Sequence, residues 1–183
     1  MPNLNLKKIA YRWRVRAGSL GLVLAIILAK PDPTSFLTGL AVCLLGLLIR
    51  TWSAGHLRKE KELSISGPYQ YTRNPLYLGN FVIGIGVVFA SRSWWVLGYF
   101  AVYFLFFYSL AIKKEMERMK ELFPDEYDEY KKKAPLFFPT WKPFSPLEKN
   151  KFSWELFRKN KEWRALTGAV LFWLILALKI IIL

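Results

Sequence analysis

Residues 94–112, WWVLGYFAVYFLFFYSLAI, run the length of a membrane crossing without a charge or a proline. A helix needs about 20 predominantly apolar residues to cross the hydrocarbon core. Ser91-Arg92-Ser93 makes a short turn before this block, with Ser93 in the N-cap position and Trp94 and Trp95 at interfacial depth. With no proline to stop it, the helix is expected to continue to about Phe123. Four further spans flank it: Trp13–Ala29, ending at Lys30-Pro31-Asp32-Pro33; Ser35–Ala54; Pro75–Ala90; and Trp163–Leu183. Gly79, Gly84 and Gly86 in the third of the five permit close helix approach. The first span has a basic start like that of a signal peptide, but no small-x-small cleavage site precedes the prolines, so it is read as retained.

Composition agrees with this reading. Of the 183 residues 54% are apolar and 17% aromatic, and mean hydropathy is +0.20 although 22% are charged. Apolar and charged residues are therefore segregated, which excludes disorder, a coiled coil and a disulfide scaffold. Cys43 is the single cysteine and His56 the single histidine, so Cys- or His-rich metal sites are excluded. A solvated or lipid-facing position is expected for His56. The fold class is all-α, a polytopic membrane helical bundle of about five transmembrane helices, forming one domain over residues 1–183.

The net charge of +14 is distributed by side. Lys7, Lys8, Arg12, Arg14 and Arg16 precede the first span; Arg50, Arg58, Lys59, Lys61 and Arg73 lie between the second and third. Fourteen more basic residues fall between Lys113 and Arg164, whereas the alternate loops hold only Lys30 and Arg92. This is the positive-inside pattern, with a cytoplasmic N-terminus and, after five crossings, a C-terminus outside. Topology and attraction to anionic membrane lipids account for the charge, and nucleic acid is not an expected partner.

Two polar regions carry candidate chemistry. The first runs from Leu63 through Gly67-Pro68-Tyr69 and Arg73-Asn74-Pro75-Leu76-Tyr77 to Gly79, at the entrance to the third span. Gly67-Pro68 is a turn signal and Pro75 suits the first turn of a helix. Tyr69, Arg73 and Tyr77 are either interface anchors or aromatic faces and a fixed cation beside a pocket. The second region begins at Glu115, whose i−4, i−3, i+4 and i+7 neighbours are Ala111, Ile112, Met119 and Leu122. A carboxylate on that apolar face is costly without a partner, which is either Arg118 or a cationic ligand. Beyond it, Pro124-Asp125-Glu126 starts a helix and Lys131-Lys132-Lys133 ends one before Pro135. Pro135, Pro139, Pro143 and Pro146, interleaved with Phe137, Phe138, Trp141 and Phe144, make an aromatic strip, lying among headgroups or covering a cytoplasmic cavity.

The run Gly67-Pro68-Tyr69-x-x-x-Arg73-Asn74-Pro75-x-Tyr77-x-Gly79 resembles the signature of the isoprenylcysteine carboxyl methyltransferase family, integral membrane enzymes related to phospholipid methyltransferases. Glu115-x-x-x-Met119-x-x-x-Phe123-Pro124-x-x-Tyr127-x-x-Tyr130 resembles its second motif. The resemblance, closest to bacterial members, spans about residues 61–139, with the span at 163–183 as an addition. It implies an S-adenosylmethionine-dependent methyltransferase of a bacterial inner membrane, with the cofactor on the cytoplasmic side. Carried over by position, the cofactor contacts are Lys61, Glu62, Leu63, Ser64, Tyr69, Asn74, Pro75, Leu76, Tyr77 and Glu115; Arg73 and Glu115 are the implied catalytic pair.

Departures from the family pattern narrow the chemistry. Asn74 stands where the family usually has His, Met116 where it has a second Glu, and Pro124 where it has Gly. Ala111 occupies the position of an arginine suited to hold a prenylcysteine carboxylate. The expected acceptor is therefore a membrane-associated lipid-like or isoprenyl molecule, with a prenylcysteine carboxylate as the less favoured choice. Two alternatives share part of the pattern: an NADPH-dependent membrane sterol or steroid reductase, and a non-catalytic lipid-binding membrane protein.

Overall fold

The computed structural model describes residues 3–59, 61–144 and 150–182, with side chains from Trp13 onward. Among the described residues every regular element is helical: α1 (Asn3–Leu28), α2 (Pro33–His56), α3 (Pro75–Ser91), α4 (Trp94–Tyr103), α5 (Ser109–Leu122), α6 (Pro124–Lys133), α7 (Trp154–Lys159) and α8 (Trp163–Ile182). A π-helical turn, Phe104–Tyr108, joins α4 to α5, giving one helix of 29 residues from Trp94 to Leu122. Ser109 Oγ donates to the Phe106 carbonyl at 3.0 Å within this stretch, a side-chain intrusion into the backbone ladder of the kind that accompanies such irregularities.

The chain is a helical membrane protein, as its hydropathy requires. By length and composition α2, Trp94–Leu122 and α8 are long and apolar enough to cross a membrane. The apolar helix α3 has 17 residues, about 25 Å at 1.5 Å per residue, close to the ~30 Å core. Helix α1 has 26 residues and begins at Asn3 rather than Trp13. Leu183 and Pro146, named in the sequence reading, lie outside the described residues.

The residues fall into two compact units, Met1–Leu44 with Ile83–Lys114 and Gly168–Leu183, and Leu45–Val82 with Glu115–Thr167. In the first, aromatic rings of the Trp94–Leu122 helix lie on small residues of α1. The Tyr99 hydroxyl donates to the Ala17 carbonyl at 2.7 Å and that of Tyr103 to the Arg14 carbonyl at 3.1 Å. Lys179, inside the apolar run of α8, gives its ammonium protons to the Ile26 and Ile27 carbonyls at 2.8 and 3.0 Å. It thereby serves the last turn of α1, whose carbonyls have no intrahelical donors. Ser93 has the extended backbone of an N-cap, but its hydroxyl makes no capping bond; its amide donates instead to Ser91 Oγ at 3.3 Å.

The three glycines of α3 do admit close neighbours. A Cβ on Gly86 would lie 2.6 Å from the Gly39 carbonyl oxygen and 2.8 Å from the Cys43 nitrogen; one on Gly84 would enter the Phe100 ring. Backbone cannot yield as a flexible side chain does. Gly86→Ala is therefore expected to destabilise the protein by about 1–3 kcal/mol, the cost of overpacking a fitted contact. Thermal unfolding in detergent measures this, and an unchanged midpoint would count against the contact.

Candidate active site at the signature loop

The loop between α2 and α3 folds around a glycine that no other residue can replace. Gly67 has φ of 58°, and a Cβ there would sit 2.7 Å from three atoms of the His56 ring. The backbone then turns through a 3₁₀ segment, Gly67–Gln70, all four residues of which are buried. His56 is itself buried, not solvated or lipid-facing as expected: its Nδ1 lies 3.0 Å from the Trp52 carbonyl and its ring meets Phe152 edge-on at 6.0 Å. The correction follows from Gly67, whose missing side chain makes room for the imidazole.

Helix α6 and the segment after it hold the loop from the other side. Tyr130 Oη donates to the Tyr69 carbonyl at 2.5 Å, with the Thr72 carbonyl at 3.3 Å. Asn74 Nδ2 donates to the Leu136 carbonyl at 2.9 Å, and Thr72 Oγ1 to the Phe137 carbonyl at 2.8 Å. The amide of Asn74, where the family usually has His, is thus a strut between two segments. Arg73 Nη1 donates to Tyr127 Oη at 3.2 Å, while its Nε is buried without a partner. Beneath the loop, Leu63, Tyr127, Tyr130 and Ala134 form a buried cluster, with Met116, Met119 and Phe123 packed against it.

The two motifs meet at Tyr77 and Glu115, where the phenol donates to Glu115 Oε2 at 2.8 Å. Glu115 is exposed rather than sunk in an apolar face, and Arg118 reaches Glu121 at 3.9 Å. Tyr69, 6% exposed, lies within the field of this pair. Burial above all, then the Glu115 carboxylate, pushes its hydroxyl well above the usual tyrosine range; Tyr130 and Tyr77 add to this and Arg50 opposes it. Burial likewise raises Tyr130, with Arg73 opposing. Both phenols therefore stay protonated at neutral pH and are not bases, and that of Tyr130 acts as a donor.

Raised folded-state values have a definite sign in stability. Their contribution is fully present below the ordinary tyrosine value of 10.0 and is lost as pH rises from there toward the folded values, because the unfolded chain releases protons that the native state retains. Stability is expected to fall above pH 10, and Tyr130→Phe should flatten that fall. Tyrosinate absorbance followed together with unfolding tests the prediction; Tyr130→Phe with an unaltered alkaline limb would refute it.

Sequence reasoning missed a second polar group in this unit. Arg50 clasps Glu162 bidentately, with Nη2 donating to Oε2 at 2.8 Å, and its Nη1 donates to Asn80 Oδ1. Glu162 is 5% exposed. Gly79 is the reason Arg50 fits: a Cβ there would lie 2.6 Å from Arg50 Cγ. The only visible signal was a lone arginine ending an apolar block, and its partner is 112 residues away.

Lys61 is exposed; Glu62 is half-buried, pairing with Arg58 at 3.1 Å and accepting from Asn150 Nδ2 at 2.7 Å. Ser64 Oγ accepts from the Arg58 amide at 3.1 Å. Leu63, Asn74 and Pro75 are buried, and Leu76 is half-buried. Tyr77, Glu115 and Arg50 all act on the Tyr69 phenol, whereas Glu62 and Leu63 are engaged by Asn150 and by the α6 cluster.

The phospholipid methyltransferase family matches residues 34–126, just over half of the chain. The chain belongs to this family. The match covers the signature loop and Glu115, and it bears out the expected kinship with membrane methyltransferases. Two relatives named for metal resistance are also similar. The nickel-cobalt-cadmium resistance protein NccN of Alcaligenes xylosoxydans xylosoxydans is 35% identical over 106 residues, 55% of this chain and 49% of its own. The cobalt-zinc-cadmium resistance protein CzcN of Cupriavidus metallidurans is 35% identical over 94 residues, 49% of this chain and 42% of its own. The chain thus spans about half the length of the curated relatives it matches. No solved structure matches it.

Proposed function

We propose that this phospholipid methyltransferase family member transfers the methyl group of S-adenosylmethionine to a lipophilic acceptor in the membrane. The observation that carries the reading is the Tyr77–Glu115 hydrogen bond, which joins two motifs separated by two apolar spans. Glu115 offers an exposed carboxylate to a cation, and Arg73 Nε is a buried donor with no partner, complementary to an anion. An amino-acid moiety carries both charges, and charge-assisted contacts are the stronger hydrogen bonds. Tyr77 presents an aromatic face suited to a sulfonium. When bound, the cofactor supplies an electrophilic methyl group whose departure discharges the sulfur. The chain's contribution is positioning and exclusion of water, and neither raised tyrosine is a base.

An acceptor without a carboxylate fits Ala111, which cannot hold one. The basic segments favour the cytoplasmic side for this site, and the resemblance to bacterial members favours an inner membrane. The metal-resistance names belong to the relatives; for this chain the proposal is methyl transfer, the reading on which its own residues converge. Thermal-shift titration tests it. S-adenosylmethionine should raise the midpoint in a saturable way and NADPH should not, because a ligand that binds only the native state stabilises it. The reverse result would favour the reductase alternative, and no shift with either would leave a lipid-binding role.

A further inference from the structure

The segment from Pro135 to Phe144 is built with two faces. Phe137 packs edge-on against Phe81 at 5.7 Å and Phe144 against Tyr130 at 5.2 Å. Phe138 meets the neighbouring Phe137 ring edge-on at 5.2 Å, yet it and Trp141 remain 70% and 98% exposed. Phe81 belongs to the second turn of α3, so the segment lies at the depth of the first turns of that apolar helix. With 17 residues, α3 has no length to spare, and its first turns mark the membrane boundary. An exposed tryptophan and phenylalanine at that depth have the amphipathic chemistry of interfacial anchors.

Charge names the lipid. From Tyr130 to Leu147 the chain has four lysines, Lys131, Lys132, Lys133 and Lys142, and no acidic residue. Lys133 is occupied by Glu129 at 3.1 Å and by the Phe144 ring, leaving three exposed lysines for anionic headgroups. Basic residues beside interfacial aromatics are attracted to an anionic leaflet.

The segment is also stitched to the signature loop. The Arg73 amide donates to the Pro135 carbonyl, that of Thr140 to Tyr71 and that of Phe144 to Gln70, each at 2.9 Å. The side-chain bonds of Thr72 and Asn74 complete the seam. We infer that Pro135–Phe144 is a membrane strap: Phe138 and Trp141 enter an anionic lipid surface, Lys131, Lys132 and Lys142 bind its headgroups, and the docked strap orders the signature loop. The inference does not depend on the reaction proposed above.

The test uses the full chain in nanodiscs of phosphatidylcholine, alone or with phosphatidylglycerol. A bimane label on Trp141→Cys, in a Cys43→Ser background, is read by quenching from lipids brominated near the headgroup. Hydrogen exchange is read at the Arg73, Thr140 and Phe144 amides. Quenching should increase with phosphatidylglycerol and exchange should slow. Lys142→Gln should weaken this lipid dependence about fivefold, the effect of one lysine near such a surface. Lys131→Gln/Lys132→Gln/Lys142→Gln should abolish it without unfolding the protein, since all three side chains are exposed. Quenching that is absent, or equal in both lipids, would overturn the inference. So would a label shielded from both lipid and iodide, which would mark a protein contact, or seam amides that ignore the lipid.

Discussion

Glu162→Ala should lower the stability of the folded chain by about 3–5 kcal/mol, because it leaves the Arg50 guanidinium charged and uncompensated among buried groups. The two side chains are 16% and 5% exposed and joined by two parallel hydrogen bonds, so water cannot replace the lost carboxylate cheaply. The pair as a whole is a different matter, since desolvating two charges offsets most of what their attraction contributes. The double variant Arg50→Met/Glu162→Leu should therefore recover most of the loss, and the two substitutions should be strongly non-additive. Unfolding midpoints of the two single variants and the double variant in detergent make the comparison. A single-variant loss below about 1 kcal/mol would show that the pair is solvated in the membrane-bound protein.

Glu115→Gln should weaken S-adenosylmethionine binding roughly ten- to hundredfold, the range for removing a hydrogen bond to a charged group. Its effect on folding should be small. Glu115 is exposed, and the amide oxygen of glutamine can still accept from the Tyr77 phenol. Tyr77→Phe removes that donor but keeps the aromatic face, so its loss of affinity should be the smaller of the two. Calorimetric titration of both variants, with melting curves as a control, checks the order. An unchanged affinity in a well-folded Glu115→Gln protein would remove the carboxylate from the proposed site and leave Tyr77 as a packing residue.

Reading from the sequence succeeded where the cause is local. An uncharged stretch such as Trp94–Ile112 has to be a helix in lipid, because no other open structure satisfies its backbone there. The ends of α6 follow from Pro124, the acids after it and the three lysines before Ala134, all acting within a turn of their own position. Gly67 announced its turn for the same reason. The two motifs were visible as spacings, and with them Tyr69, Arg73, Tyr77 and Glu115 as candidates.

What the sequence left open involves partners far apart along the chain. His56 is buried because Gly67 lacks a side chain and Phe152 closes over it. Asn74, which in the family pattern stands for a lost histidine, is a strut to Leu136. Arg50 and Glu162 look like two ordinary charges at span ends until the fold brings them together. By itself, then, the sequence determined the class of fold, the long apolar helices and which residues are candidates for chemistry, since hydropathy and turn propensity act over a few neighbours. Only the tertiary structure decided which charges are buried and which donors meet which acceptors, because a side chain's burial and pairing are set by the segments packed against it.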